Sequence, residues 1–116
     1  MVATVEISEI QDVLAALADP TRLAILAQLR TRDLCVCHLV ERLELKQSII
    51  SHHVGILRRA GLIDSHANPT DRRWLYYRLN RVRLVDVASH LDWLLDDREY
   101  DATPLPCGPD AERYAE

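Results

Sequence analysis

The sequence has no phenylalanine and only three glycines among its 116 residues. Its hydrophobic residues, 48% of the chain, are mostly leucine, isoleucine, valine and alanine. This composition predicts one small, helix-rich domain whose core is packed by aliphatic side chains. Glycine-rich phosphate-binding loops are absent, and the serine and histidines at positions 51–53 have no evident oxyanion hole or orienting acid. An enzyme is therefore not expected.

Long apolar runs and a secretion signal are also missing. No apolar run reaches the roughly 20 residues that a membrane-spanning helix requires. The first ten residues carry Glu6 and Glu9 but no basic side chain, unlike a signal peptide. We therefore expect a cytoplasmic protein without a membrane partner. Cysteine is scarce, and the odd set of Cys35, Cys37 and Cys107 favours metal binding or redox sensing over a disulfide framework.

Positive charge is concentrated in one segment of an otherwise acidic chain. Residues 46–83 hold eight basic and two acidic side chains, a net charge of +6, whereas the whole chain carries −4. A basic segment in an acidic protein is the electrostatic footprint expected of nucleic-acid binding.

Apolar spacing and turn residues predict five helices and one hairpin. The helices are expected at about residues 8–18, 20–30, 35–43, 47–60 and 81–97. Asp19 and Pro20 are typical of a helix start, and Gly61 is typical of the residue after a helix end. Residues 62–67 and 74–79 are expected to be strands, joined by a turn at residues 68–71.

A short helix, a tight turn, a longer helix and a basic hairpin together indicate a winged helix-turn-helix. The predicted fold is thus mainly α with a small β-hairpin, in the order α1-α2-α3-α4-β-wing-α5. Side chains at the start of the fourth helix are expected to meet base edges, and basic side chains nearby to hold phosphates. The predicted DNA-binding residues are Lys46, Gln47, Ser48, Ser51, His52, Arg58 (or its neighbour Arg59), Arg72 and Arg73.

Four stretches of the chain resemble the ArsR/SmtB family of metal-responsive repressors, most closely its arsenic-responsive type. They are LADPTRL at 17–23, LCVCHL at 34–39, QSIISHHV at 47–54 and LRRAGL at 57–62. The resemblance covers about residues 13–79. It implies a homodimer built on the first and last helices, a palindromic double-stranded DNA operator, and DNA release when a toxic metal or metalloid binds.

The expected domain therefore spans residues 1–98 and combines DNA binding with dimerisation. A tail with proline and glycine follows at residues 99–116 and carries Cys107. The sequence departs from the family at Lys46, where a serine is usual. This removes a candidate helix cap and places a positive charge at the positive end of the helix dipole.

Cys35 and Cys37 are the expected sensing residues. Thiolates bind soft ions, and a thiol near a helix N-terminus has a lowered pKa. In the family, this Cys-x-Cys resembles the site for As(III) or Sb(III), and also that for Cd(II) or Pb(II). Residues at i and i+2 do not face one another on a regular helix, so ion binding is expected to distort the third helix.

A third thiolate is expected for arsenite. The arsenic-responsive type has a third cysteine shortly after the pair, where this chain has Val40, so Cys107 becomes the predicted third ligand, from the same chain or from a partner. Alternatives are a Cd(II), Pb(II) or Zn(II) sensor, and a redox switch that joins Cys35 or Cys37 to Cys107. His38 adjoins the pair and has the chemistry to bind zinc, cadmium or nickel, but we expect it to be a surface or capping histidine.

The last helix carries a second pair of metal-ligating residue types. Asp86 and His90 stand four residues apart there, where the family has a zinc site at the dimer interface. No second histidine follows them in the chain. We expect an ordinary solvated pair rather than a complete zinc site.

Overall fold

The computed structural model describes residues 7–108, which form five helices and a two-stranded antiparallel hairpin. The elements are α1 (Ile7–Leu17), α2 (Pro20–Leu29), α3 (Val36–Leu43), α4 (Gln47–Arg59), β1 (Ile63–Ala67), β2 (Leu75–Leu79) and α5 (Arg81–Leu95). The predicted mainly α, winged helix-turn-helix order is confirmed. Its boundaries shift by one or two residues, as is usual at frayed element ends. Residues 1–6 and 109–116, which include the end of the expected tail, lie outside the described residues.

Local signals in the sequence account for the helix ends. The Asp19 carboxylate accepts a hydrogen bond from the Arg22 backbone N–H at 2.9 Å, and Pro20 occupies the first turn of α2. Gly61 follows α4 with a φ of 76°, a left-handed conformation that glycine adopts without steric cost. At the start of α4, the side chain of Lys46 makes no capping hydrogen bond, because a lysine ammonium group has no acceptor for a backbone N–H.

The core lies where α2, α3 and α4 pack together beneath the hairpin. Ile50, Val54 and Leu57 form the predicted buried face of α4. The largest fully buried side chains are Ile25, Leu39, Ile50, Leu57, Leu62 and Ile63. Aliphatic groups therefore dominate this core, as the composition predicts.

The last helix, α5, leaves most of its apolar side chains exposed, unlike a core helix. Only Val87 of α5 is buried, whereas Leu91, Leu94 and Leu95 are exposed in the single chain. The helix packs against α1, where Leu14 is also exposed. Among the described residues, no helix is long and apolar enough to cross a membrane.

One contact between distant segments was not predicted. Leu34 forms an isolated antiparallel bridge with Tyr77 of β2, with the Leu34 N–H donating at 3.2 Å and the Tyr77 N–H donating at 2.8 Å. The bridge attaches the segment before α3 to the hairpin. It therefore holds Cys35, the next residue, beside the wing.

Candidate metal centre and nucleic-acid interface

Cys35 occupies the N-cap position of α3, not its first turn. Its backbone is extended, with φ −89° and ψ 170°, and the helix begins at Val36. Cys37 lies within the first turn and is exposed, whereas Cys35 is buried. The change from extended to helical backbone between the two residues turns both side chains toward the same point.

The structure joins Cys35 and Cys37 through a disulfide, with their Cα atoms 5.4 Å apart. The expected distortion of α3 on ion binding is therefore not required. The geometric restriction on residues i and i+2 applies inside a helix, and Cys35 precedes the helix. The redox alternative of the sequence analysis joined Cys35 or Cys37 to Cys107, whereas in this structure the two neighbouring cysteines pair with each other and Cys107 is free.

His38 belongs to the same cluster. Its Nδ1 accepts a hydrogen bond from the Cys35 backbone N–H at 3.1 Å and lies 3.1 Å from the Cys35 Sγ. One ligand atom each from Cys35, Cys37 and His38 falls within 4.8 Å of the others. Once the disulfide is reduced to two thiolates, this set of two sulfurs and one imidazole nitrogen suits a soft or borderline ion.

Cys107 does not join this cluster within the single chain. It is a free, exposed cysteine in the tail. Asp86 and His90 likewise form no cluster of three possible ligands among residues 7–108. His90 instead lies 5.6 Å from the Trp93 ring, centroid to centroid.

Aromatic side chains of the wing surround the cysteine pair, and sequence analysis did not select them. Trp74 lines a cavity together with Cys35 and Cys37, and Tyr76 stacks between the rings of His38 and His66 at centroid distances of 6.3 and 5.7 Å. The signal available in the sequence was the spacing of Trp74 and Tyr76, since residues i and i+2 of an extended segment share a face.

The same cavity connects the cysteines to the expected DNA-binding surface. Gln47, the first residue of α4, and Arg73, at the wing, line it beside Cys35 and Cys37. The two cysteines therefore share one cavity with residues of both predicted DNA-binding elements. The predicted DNA-binding residues Lys46, Gln47, Ser48, Ser51, His52, Arg58, Arg72 and Arg73 are all exposed.

Internal ion pairs reduce the positive charge that the basic segment can offer. Arg73 forms a bidentate pair with Asp71, with its terminal nitrogen 2.7 Å from the carboxylate. These hydrogen bonds hold the pKa of Asp71 below its ordinary value and raise that of Arg73. Arg78 is similarly paired with Asp33 at 2.7 Å. By contrast, Lys46, Arg58 and Arg72 form no ion pair within the described part of the chain.

Comparisons with known proteins agree with this architecture. Residues 19–65 match the model of the family described as "Bacterial regulatory protein, arsR family". The arsenic resistance transcriptional regulator ArsR1 of Pseudomonas putida is 40% identical over 108 residues, which cover 90% of this chain and 76% of that protein. The arsenical resistance operon repressor of Staphylococcus xylosus is 33% identical, covering 72% of this chain and 78% of the repressor.

A solved structure gives the same result. The ArsR-like transcriptional regulator from Rhodococcus sp. RHA1 superposes with a TM-score of 0.68 at 31% identity, covering 75% of this chain and 79% of that one. The winged helix-turn-helix fold is thus shared with a solved ArsR-like transcriptional regulator. The chain belongs to the arsR family of bacterial regulatory proteins and is a DNA-binding transcriptional regulator, not an enzyme.

Proposed function

We propose that this chain represses transcription as a homodimer on a palindromic operator and releases DNA when As(III) or Sb(III) bonds to Cys35 and Cys37. The observation that carries the proposal is the shared cavity, since Gln47 and Arg73 line it beside both cysteines. An ion bonded there changes the packing between α3, the start of α4 and the wing. Two relatives, from P. putida and S. xylosus, are named for arsenic resistance.

Cys107 is the proposed third thiolate for inorganic arsenite. The cysteine is free and exposed, so it is available as a ligand. Since it lies outside the cluster of its own chain, the tail must fold back or reach the site of the partner protomer. The protein would act in the cytoplasm, where reducing conditions keep these thiols available.

The homodimer is proposed to form through α1 and α5. Leu14 on α1 and Val85, Leu91, Leu94 and Leu95 on α5 are exposed in the single chain. Exposed apolar groups concentrated on two adjacent helices are typical of a protein interface. Two copies related by a twofold axis would present two α4 helices to the two halves of a palindromic operator.

The test is fluorescence anisotropy of the reduced protein on its own upstream promoter DNA. Near-stoichiometric arsenite is expected to release the DNA from the unaltered protein but not from Cys35→Ser or Cys37→Ser. Cys107→Ser should need more arsenite. Ser65→Ala, a small polar change in β1 outside the cluster, serves as a control. Tight DNA binding that no arsenite concentration reverses would exclude the arsenite proposal.

A divalent metal sensor is a second candidate, favoured by the position of His38. Its Nδ1 lies 3.1 Å from the Cys35 Sγ, and two cysteines with one histidine are typical ligands of Zn(II). Cd(II) and Pb(II) would bind the thiolates similarly. Titrating the same complex with cadmium, lead and zinc tests this candidate. Release by these ions and not by arsenite, together with loss of the response in His38→Ala, would support it.

A redox-responsive repressor is a further candidate, favoured by the Cys35–Cys37 disulfide. Oxidation would form this bond with loss of two thiol hydrogens to an oxidant such as a peroxide, and reduction would restore both ligands. Loss of DNA binding on peroxide addition, reversed by a phosphine reductant in metal-free buffer, would support it. Unchanged affinity in both redox states would exclude it.

A further inference from the structure

The cavity beside the cysteine pair is much larger than one ion needs. Its volume is about 490 Å³, within the range of about 300–1,000 Å³ typical of small-molecule sites. Hydrocarbon dominates its walls, with two polar side chains, Gln47 and Arg73, at its border. The other lining residues besides the cysteines are Val36, Val40, Trp74, Leu75 and Tyr77. This combination of an apolar wall and few polar groups is characteristic of pockets for organic ligands.

The number of thiols at this cavity is too small for an inorganic trivalent arsenic centre bound only through sulfur. Trivalent arsenic forms three covalent bonds, and two sulfurs converge here with one imidazole nitrogen, a harder ligand. Val40 lies three residues after Cys37, on the same face of α3, and lines the cavity. The position next to the pair on α3 therefore presents an apolar group instead of a third thiol.

We propose that this site prefers organic trivalent arsenicals, R–As(OH)₂, to inorganic arsenite. The inference rests on the proposed function, because it uses the same two cysteines in their reduced form. Each thiol gives up its proton, two As–O bonds break, two As–S bonds form and two water molecules leave. The As–C bond and the oxidation state of arsenic are unchanged. The substituent R enters the cavity between Val40 and Trp74 and completes the three bonds of arsenic without Cys107.

Trp74 is the largest side chain that lines the cavity, and it offers apolar surface that such a substituent would cover. The residue is 50% exposed and lines the cavity, so contact with an alkyl or aryl group removes apolar surface of both partners from water. A larger substituent buries more of this surface. Affinity should therefore rise from arsenite to methylarsonous acid to phenylarsonous acid.

The experiment measures direct binding of these three compounds to the protein by calorimetry. A phosphine keeps the cysteines reduced, because a dithiol reductant would compete with them for arsenic. The phenyl compound is expected to bind about tenfold or more tightly than arsenite, which corresponds to about 1.4 kcal/mol. Native mass spectrometry should show one R–As group per chain, with loss of two water molecules.

Two cavity variants and two controls isolate the contribution of the pocket. Trp74→Ala should lower the phenyl affinity about tenfold and leave arsenite affinity unchanged. Val40→Cys should reverse the preference, because it adds a third thiol one turn after Cys37. Tyr100→Ala removes an aromatic ring that is 78% exposed outside the cavity and should change neither affinity. Cys107→Ser should leave the binding of the phenyl compound unchanged.

The outcomes separate this inference from the proposed function. Equal affinities for arsenite and the phenyl compound, or a phenyl preference that Trp74→Ala leaves intact, would overturn the organoarsenical preference while leaving the arsenite sensor in place. Binding of neither compound to the reduced cysteines would overturn both. Phenyl binding that depends on Trp74 and not on Cys107 would establish the preference.

Discussion

Neighbouring arginines at the wing, Arg72 and Arg73, differ in how freely their charges can meet a phosphate. Arg73 is held by Asp71 through its Nε and a terminal nitrogen, whereas Arg72 makes no ion pair within the part of the chain that the structure describes. Both were predicted as DNA contacts because sequence alone shows charge but not pairing. The structure therefore ranks Arg72 above Arg73.

Arg72→Ala should weaken DNA binding and reduce the slope of log affinity against log salt by about 1, because one phosphate contact is lost. Arg73→Ala should have a smaller effect. Asp71→Asn should strengthen binding about twofold to fivefold, because it frees Arg73 from an exposed ion pair. Anisotropy titrations at several salt concentrations measure all three. Equal losses from the two arginine variants would contradict this ranking.

Gly61, unlike the wing arginines, has a structural role that the sequence predicted. Its φ of 76° lies in the left-handed region, and a Cβ there would lie 3.1 Å from the Arg83 Nε. Gly61→Ala should lower the free energy of unfolding by about 1–2 kcal/mol. Gly55→Ala, inside α4, is the control and should raise it by about 0.5–1 kcal/mol. Urea denaturation measures both, and equal effects would contradict the conformational explanation.

Between elements, the Asp33 carboxylate attaches the segment before α3 to the wing. It accepts hydrogen bonds from Arg78 of β2 at 2.7 Å and pairs with His66 of β1 at 2.8 Å. Together with the Leu34–Tyr77 bridge, this contact holds the cysteine cluster against the hairpin. Sequence analysis missed it because the partners are separated by 33 and 45 positions in the chain.

Acid should weaken this attachment. The hydrogen bond from Arg78 lowers the pKa of Asp33 from its ordinary value, so its contribution to stability is present above about pH 4 and is lost as the pH falls through the lowered pKa. At pH 7, Asp33→Asn should lower the free energy of unfolding by about 0.2–1 kcal/mol, since the pair is partly exposed.

Urea denaturation of both proteins between pH 7 and pH 3 measures this difference. The difference should begin to shrink below about pH 4, where the carboxyl group of the unfolded chain takes up a proton, and should be lost as the pH falls through the lowered pKa of Asp33. Asp97→Asn, an exposed aspartate without an ion pair among residues 7–108, should have little effect at any pH. A difference that stays constant down to pH 3 would mean that Asp33 does not act through its charge.

At the scale of the whole molecule, residues 7–108 expose an apolar surface on their last helix. Leu91, Leu94 and Leu95 of α5 are 49–79% exposed, and the apolar spacing of this helix resembles that of a core helix. Burial of these leucines against a second copy of the chain would explain why an exposed helix has the apolar spacing of a core helix. The helix-turn-helix and its wing lie elsewhere in the chain and remain available to DNA.

Leu94→Glu should increase the dissociation constant of the homodimer at least about tenfold, because a charge would enter an apolar interface. Sedimentation velocity measures the change, and DNA affinity should fall in parallel. The control is Leu105→Glu, which places the same charge in the tail, where Leu105 is 91% exposed. A dimer unchanged by Leu94→Glu would exclude α5 as the interface.

Local features were predictable from the sequence because they depend on neighbours along the chain. The order of elements, the buried face of α4, the α2 cap at Asp19 and the left-handed Gly61 follow from spacing and side-chain preference. The candidate ligands Cys35 and Cys37 also came from spacing. The sequence did not predict where the cysteine pair lies relative to α3. A shift of one residue in the start of the helix decides whether the backbone of Cys35 is helical or extended.

Contacts between distant segments appear only when the chain is folded. Three such contacts depend on how the hairpin lies against α3 and the segment before it. Trp74 and Tyr77 line one cavity with Cys35 and Cys37, Arg78 pairs with Asp33, and Tyr76 stacks on His38. Composition and periodicity predict single helices and strands, but they carry no information about contacts between residues far apart in the chain. Sequence therefore predicted a thiol sensor on a DNA-binding fold, whereas tertiary packing produced the apolar cavity beside the two cysteines.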